Sequence, residues 1–184
     1  MKTFLILLFT LIFNSVFSQS FSTTQGNPKS NNWTIIWGGM PHKVFGHDFM
    51  RERFQKYFKK ENVIWSDYQI SADKLRKYLQ ELNPNYDLIA VYGFSRGGST
   101  AYSQIGKVRF VGLIDPTIPN NYETGCSSTE VRMVYNPDVW GAENRKKLLR
   151  VAETYNKSSF RVDIPHLKIP DLFFTDYKYQ YYQK

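Results

Sequence analysis

The residues best suited to chemistry sit in one short stretch, "YGFSRGGST", where Ser95 stands two positions after Gly93 and two before Gly97. A serine flanked in this way can attack a carbonyl. The turn is so tight that side chains at the flanking positions would collide, and the strained serine backbone lifts its hydroxyl clear of the preceding strand. The next amide, that of Arg96, opens a helix and can bind an oxyanion. Composition alone predicts about 0.06 chance matches to Gly-x-Ser-x-Gly in a chain of this size. The competing reading is a nucleotide-binding turn. "GFSRGG" lacks the Lys-Ser/Thr of a P-loop, and Ser95 fills the place of the second glycine in G-x-G-x-x-G, so neither nucleotide pattern is met.

A serine nucleophile needs a base, and the base needs a group to orient it. The chain has three histidines. His42 and His47 precede Ser95, whereas His166 follows the last strand-like run in "VDIPHLKIPD", on the rim where Ser95 is expected. His166 is therefore the expected base. Two aspartates could orient it. Asp115 directly ends the apolar run "FVGLID", which favours a buried, fixed carboxylate, and Pro116 stiffens the exit; Asp138, in "MVYNPDVWG", is the alternative acid. A second oxyanion donor is expected from the loop "GGMPHKVFG", with Gly39 and Met40 as candidates, since Pro41 has no amide hydrogen. Three dispersed histidines make a poor metal cluster, and no cofactor is expected.

These residues need a frame. "WTIIWGG" (33–39), "NVIWSDY" (62–68), "YDLIAVYGF" (86–94), "VRFVGLID" (108–115), "EVRMVYN" (130–136) and "SFRVDIP" (159–165) read as six short strands, apolar on both faces. Helical patterns alternate with them at 47–60, 72–82, about 96–105, 142–155 and from 170 onward, with Ser71 as an N-cap. This alternation predicts an α/β fold: a mostly parallel sheet of about six strands between two layers of helices. On an open sheet of this kind, ligands bind beyond the carboxyl ends of the strands, where Ser95, Asp115, Asp138 and His166 all fall.

The first eighteen residues, "MKTFLILLFTLIFNSVFS", read as a signal peptide, with Lys2 ahead of an apolar core and Val16 and Ser18 at a small-residue cleavage site. The apolar core is shorter than the roughly 20 residues a membrane span needs. A secreted or periplasmic protein is expected. Residues 19–32, rich in Ser, Thr, Asn and Gln, read as a flexible lead-in to a domain over 33–184. Cys126 is the single cysteine, which excludes an internal disulfide, so an exported domain of this kind must rely on its core. The formal charge of +8 is spread over helix-like segments such as "NRKKLLR", as a solvated face would be. Nucleic acid is not expected as a partner, whereas an anionic surface fits the charge.

Taken in order, "WTIIWGG", "YGFSRGGST", "GLIDP" and "IPHLKIPD" resemble a small α/β-hydrolase of the serine esterase, lipase and thioesterase superfamily, over about residues 33–184. The family order of serine, acid and then histidine implies His166 as base, since it alone follows both acids. The resemblance also implies acyl transfer to water through an acyl-enzyme on a small-molecule or lipid-like acyl ester. Two departures stand out: no leading antiparallel hairpin is visible before residue 33, and there is no room for a cap domain. The expected protein is a serine hydrolase of carboxylic esters or thioesters. The alternatives are a non-catalytic binding protein of hydrolase-like fold and a basic protein that binds envelope polymers.

Overall fold

In the computed structural model, which describes residues 21–39, 47–122 and 127–177, the chain alternates between strand and helix as its pattern requires. The strands are β1 (Phe21–Gln25), β2 (Asn32–Trp37), β3 (Asn62–Ser66), β4 (Asp87–Phe94), β5 (Phe110–Ile114), β6 (Glu130–Tyr135) and β7 (Ser159–Arg161). The helices are α1 (His47–Phe54), α2 (Ala72–Leu82), α3 (Gly97–Tyr102), α4 (Ala142–Thr154) and α5 (Ile169–Leu172). A 3-10 turn, Gln55–Phe58, extends α1, and a π-helical turn, Phe173–Tyr177, extends α5. The sheet has seven strands in the order β1-β3-β2-β4-β5-β6-β7. All neighbours run parallel except β1, which pairs antiparallel with β3.

Alternation along the strands, reset in β4 by a bulge at Ile89, sends their side chains into two cores. Trp33, Ile35 and Trp37 of β2, Leu88 and Val91 of β4, and Val111 and Leu113 of β5 face one layer, filled by Leu75 and Leu79 of α2 and Leu148 and Val151 of α4. Ile36, Trp65, Tyr92, Phe94, Phe110 and Ile114 face the other, filled by Met50 and Phe54 of α1, Phe58, Ile169, Phe173 and Phe174. Burial on both faces is why the strands read as continuous apolar runs. Helix α2 starts where its N-cap predicts: the Ser71 hydroxyl accepts from the Lys74 amide. A bidentate ion pair between Arg53 and Asp171 ties α1 to α5, the helix that follows His166.

Three expectations change. The sheet has seven strands, because part of the expected flexible lead-in forms β1. Its run "FSTTQ" is polar, and as an edge strand it is only half-buried; Trp65 donates its indole N–H to Thr24, and the Asn62 side chain bonds Asn27 and Ser30 to hold the β1–β2 turn. An antiparallel strand therefore does precede residue 33. The last strand ends at Arg161 rather than near 165, because its partner β6 ends at Tyr135, the residue paired with Arg161, and the chain turns away at Asn136. The signal peptide over 1–18, Met40, His42, Cys126 and the end of the last expected helix lie outside the described residues.

Candidate active site

The parallel register lines up the candidate residues. Phe94 pairs with Ile114 between β4 and β5, and Trp37 pairs with Gly93 between β2 and β4. Carried past the strand ends, these registers set Gly39, Ser95 and Asp115 in one row on the carboxyl rim. A Cβ on Gly39 would lie 2.9 Å from Ser95 Cβ and 3.3 Å from its Oγ, so only a glycine lets this backbone come so close to the hydroxyl. A Cβ on Gly97 would lie 2.6 Å from the carbonyl oxygens of Trp37 and Gly38, and one on Gly93 would lie 2.6 Å from the carbonyl carbon of Gly97. The turn is thus closed on both sides by backbone, which accounts for the glycines that flank the serine.

Ser95 has φ of 54° and Asp115 has φ of 40°, the two non-glycine residues with positive φ among the described residues. Each such conformation costs about 1–3 kcal/mol and persists only where its surroundings hold it. Here they do. The Ser95 amide donates to Ile114 O at 3.1 Å, and the Ser95 carbonyl accepts from Gly98 and Thr117 at 3.0 and 2.8 Å. The Asp115 amide donates to Val134 O at 2.7 Å. Ser95 is 7% exposed and Asp115 fully buried.

A buried carboxylate needs donors on both oxygens. Asp115 Oδ1 accepts from the Asn136 amide at 3.0 Å and the Trp140 indole N–H at 3.1 Å, while Oδ2 lies 2.5 Å from His166 Nδ1. A carboxylate only accepts, so the proton in the last bond belongs to Nδ1. In the neutral imidazole, Nε2 is then left as an acceptor. The imidazole is fixed on both flanks, stacked on Phe94 with centroids 4.6 Å apart and met edge-on by Trp140 at 5.2 Å. Its loop is held as well, because Asn136 Nδ2 donates to Ile164 O at 3.0 Å. With its side chain 27% exposed, His166 keeps one edge open to solvent.

Ser95, Asp115 and His166 therefore share one rim, with Asp115 bonded to His166. No hydrogen bond joins the Ser95 hydroxyl to His166. Asp138 is engaged elsewhere, half-exposed and paired with Arg145 at 3.2 Å and Arg161 at 2.9 Å. His47 turns to Asp67 and Asp48. Arg96 caps α3, and its guanidinium donates to the Tyr68 hydroxyl at 3.2 Å while lying 5.6 Å from the Tyr68 ring centre. That bond, followed by one with Gln69, holds the Tyr68 phenol below the usual tyrosine range. Among the described residues, no cluster of three or more His, Cys, Asp or Glu side chains that could hold a metal is assembled.

Sequence reasoning named neither Asn136 nor Trp140 as a partner of Asp115. Asn136 opens "NPDVW", where its Oδ1 accepts from the Asp138 amide in an Asx turn. That turn signal was legible; the bonds to Asp115 and Ile164 were not, since they depend on how β6 sits against β5 and on the course of the loop after β7.

The fold is α/β-hydrolase-like: a mostly parallel sheet between two helical layers, with a strained serine turn after a central strand. No family model matches the chain, and no curated protein does. Among solved structures it is similar to MenH from S. aureus, at 15% identity and a TM-score of 0.42, over 58% of this chain and 45% of that one. It is similar to XC6422 from Xanthomonas campestris, an α/β serine hydrolase without lid, at 12% identity and a TM-score of 0.49, over 83% of each chain. It is also similar to the thioesterase domain SrfTE, which cyclises the lipopeptide antibiotic surfactin, at 14% identity and a TM-score of 0.37, over 90% of this chain and 65% of that one. The chain thus spans less than half the length of MenH.

Proposed function

We propose that this protein is an exported serine hydrolase that cleaves carboxylic ester or thioester bonds through an acyl-enzyme on Ser95. The observation that carries the reading is the buried Asp115 carboxylate bonded to His166 Nδ1, on the same rim as a serine in a strained turn. In the proposed reaction His166 Nε2 takes the Ser95 proton as Oγ attacks the carbonyl carbon. The amides of Arg96 and of Gly39 or Met40 hold the oxyanion, an interaction worth several kcal/mol when preorganised. Asp115 stabilises the imidazolium that forms. His166 then protonates the leaving alcohol or thiol, and water, activated by the same nitrogen, releases the acid. Export draws on residues 1–18 alone.

A second reading, a non-catalytic binding protein of the same fold, rests on one observation: no hydrogen bond joins Ser95 to His166. Such bonds often tighten only once substrate is bound, and for this reason the hydrolase is preferred. The test is hydrolysis of p-nitrophenyl esters of increasing acyl length by the mature protein beside Ser95→Ala. Activity lost in the variant supports the hydrolase. A wild type as inactive as the variant, on every ester and on a thioester, would transfer support to the binding protein.

A further inference from the structure

We propose that Arg96, held in place by Tyr68, forms an anion-binding subsite beside Ser95 and selects substrates carrying a carboxylate or phosphate near the scissile bond. The inference rests on the hydrolase reading for its catalytic arm. Arg96 directly follows Ser95, and its exposed guanidinium is fixed by two contacts, a hydrogen bond to the Tyr68 hydroxyl and a cation–π contact with the ring. Long cationic side chains normally lose much rotamer freedom on binding a ligand; here Tyr68 has already restricted Arg96.

No carboxylate pairs with Arg96 among the described residues. Three acids on the same rim are engaged elsewhere: Asp67 accepts the His47 amide and faces its ring, Asp138 is shared by Arg145 and Arg161, and Asp115 is bonded to His166. A guanidinium has five N–H donors, and one bond to Tyr68 leaves the rest of the fork available to a carboxylate or phosphate. Tyr68 also lines a polar groove of about 390 Å³, together with Gln69, Ser71, Asp73, Thr100 and Lys107 among others.

The test compares ester pairs that differ in one charge. p-Nitrophenyl hydrogen adipate against p-nitrophenyl hexanoate places the charge on the acyl side, and m-carboxyphenyl butyrate against m-carbamoylphenyl butyrate places it on the alcohol side. For at least one pair, wild type should favour the anionic member by about tenfold in kcat/KM, the scale of one charge-assisted hydrogen bond. The preference should fall towards parity in Arg96→Ala, survive in part in Arg96→Lys, and shrink with added salt. Tyr68→Phe, which keeps the ring and loses the hydroxyl, should weaken it less than Arg96→Ala does. No preference in wild type, or a preference unchanged in Arg96→Ala, would overturn the proposal. A binding arm separates this outcome from failure of the hydrolase reading. Adipate and phenyl phosphate should bind Ser95→Ala and lose affinity in Ser95→Ala/Arg96→Ala; equal binding to both would also overturn it, whatever the esterase assays give.

Discussion

Asp115 and His166 lie 51 positions apart in the chain, yet the Asp115 carboxylate and His166 Nδ1 meet at 2.5 Å. The carboxylate is fully buried, and its other oxygen is occupied by the Asn136 amide and the Trp140 indole. Asp138 has none of this setting, being half-exposed between two arginines. Asp115→Asn puts an amide group against a ring N–H and should lower kcat by roughly three to four orders of magnitude, through the wrong tautomer and a lost imidazolium partner. Asp138→Asn should change kcat by less than about threefold, since a surface ion pair contributes little. Steady-state kinetics of the two variants checks this; the reverse ranking would make Asp138 the acid.

Trp140 both donates to Asp115 and meets the His166 ring edge-on. Trp140→Phe keeps the aromatic edge and removes the donor. A hydrogen bond to a charged group is worth about 1.5–3 kcal/mol, so urea denaturation should show a loss of that order. The kinetic effect should fall on kcat, with KM little changed, because the indole acts through the carboxylate rather than on substrate.

Ser95 sits at φ of 54°, where a side chain is disfavoured. Ser95→Ala retains that strain and Ser95→Gly releases it. The glycine variant should therefore be about 1 kcal/mol more stable than the alanine variant, although both should be inactive. Paired urea melts measure the difference, and equal midpoints would mean that the turn stores no strain.

Gly97→Ala drives a methyl to within 2.6 Å of two backbone oxygens of the β2 exit. Backbone cannot swing aside as a flexible side chain can. The expected cost is about 1–3 kcal/mol, with a disproportionate loss of activity because the displaced loop carries Gly39. Thermal melts and ester kinetics on the same preparation check both parts.

Much of the frame was legible in the sequence because burial on both sheet faces writes strands as apolar runs. β2 to β6 fall within two residues of their expected bounds. β1 was hidden: "FSTTQ" is an edge strand whose order comes from Trp65 and Asn62, some forty residues away. At the candidate site, Gly-x-Ser-x-Gly marks its own turn locally, so Ser95 could be named from sequence. Choosing between Asp115 and Asp138 needed tertiary information, since each follows a strand on the same rim. What separates them in space is the partner each carboxylate meets, His166 for one and Arg145 with Arg161 for the other. Asn136 and Trp140 were legible only as a turn residue and an aromatic, because their donors reach Asp115 across the β5–β6 register.

The central claim, an activated Ser95, is tested most directly by covalent labelling. The mature protein would be treated with a fluorophosphonate and read by intact mass and peptide mapping, with heat-denatured protein as control. One adduct per chain, on Ser95, absent after denaturation and strongly slowed in Asp115→Asn, is the predicted result. No adduct on the native protein, or labelling at the same rate before and after denaturation, would contradict it.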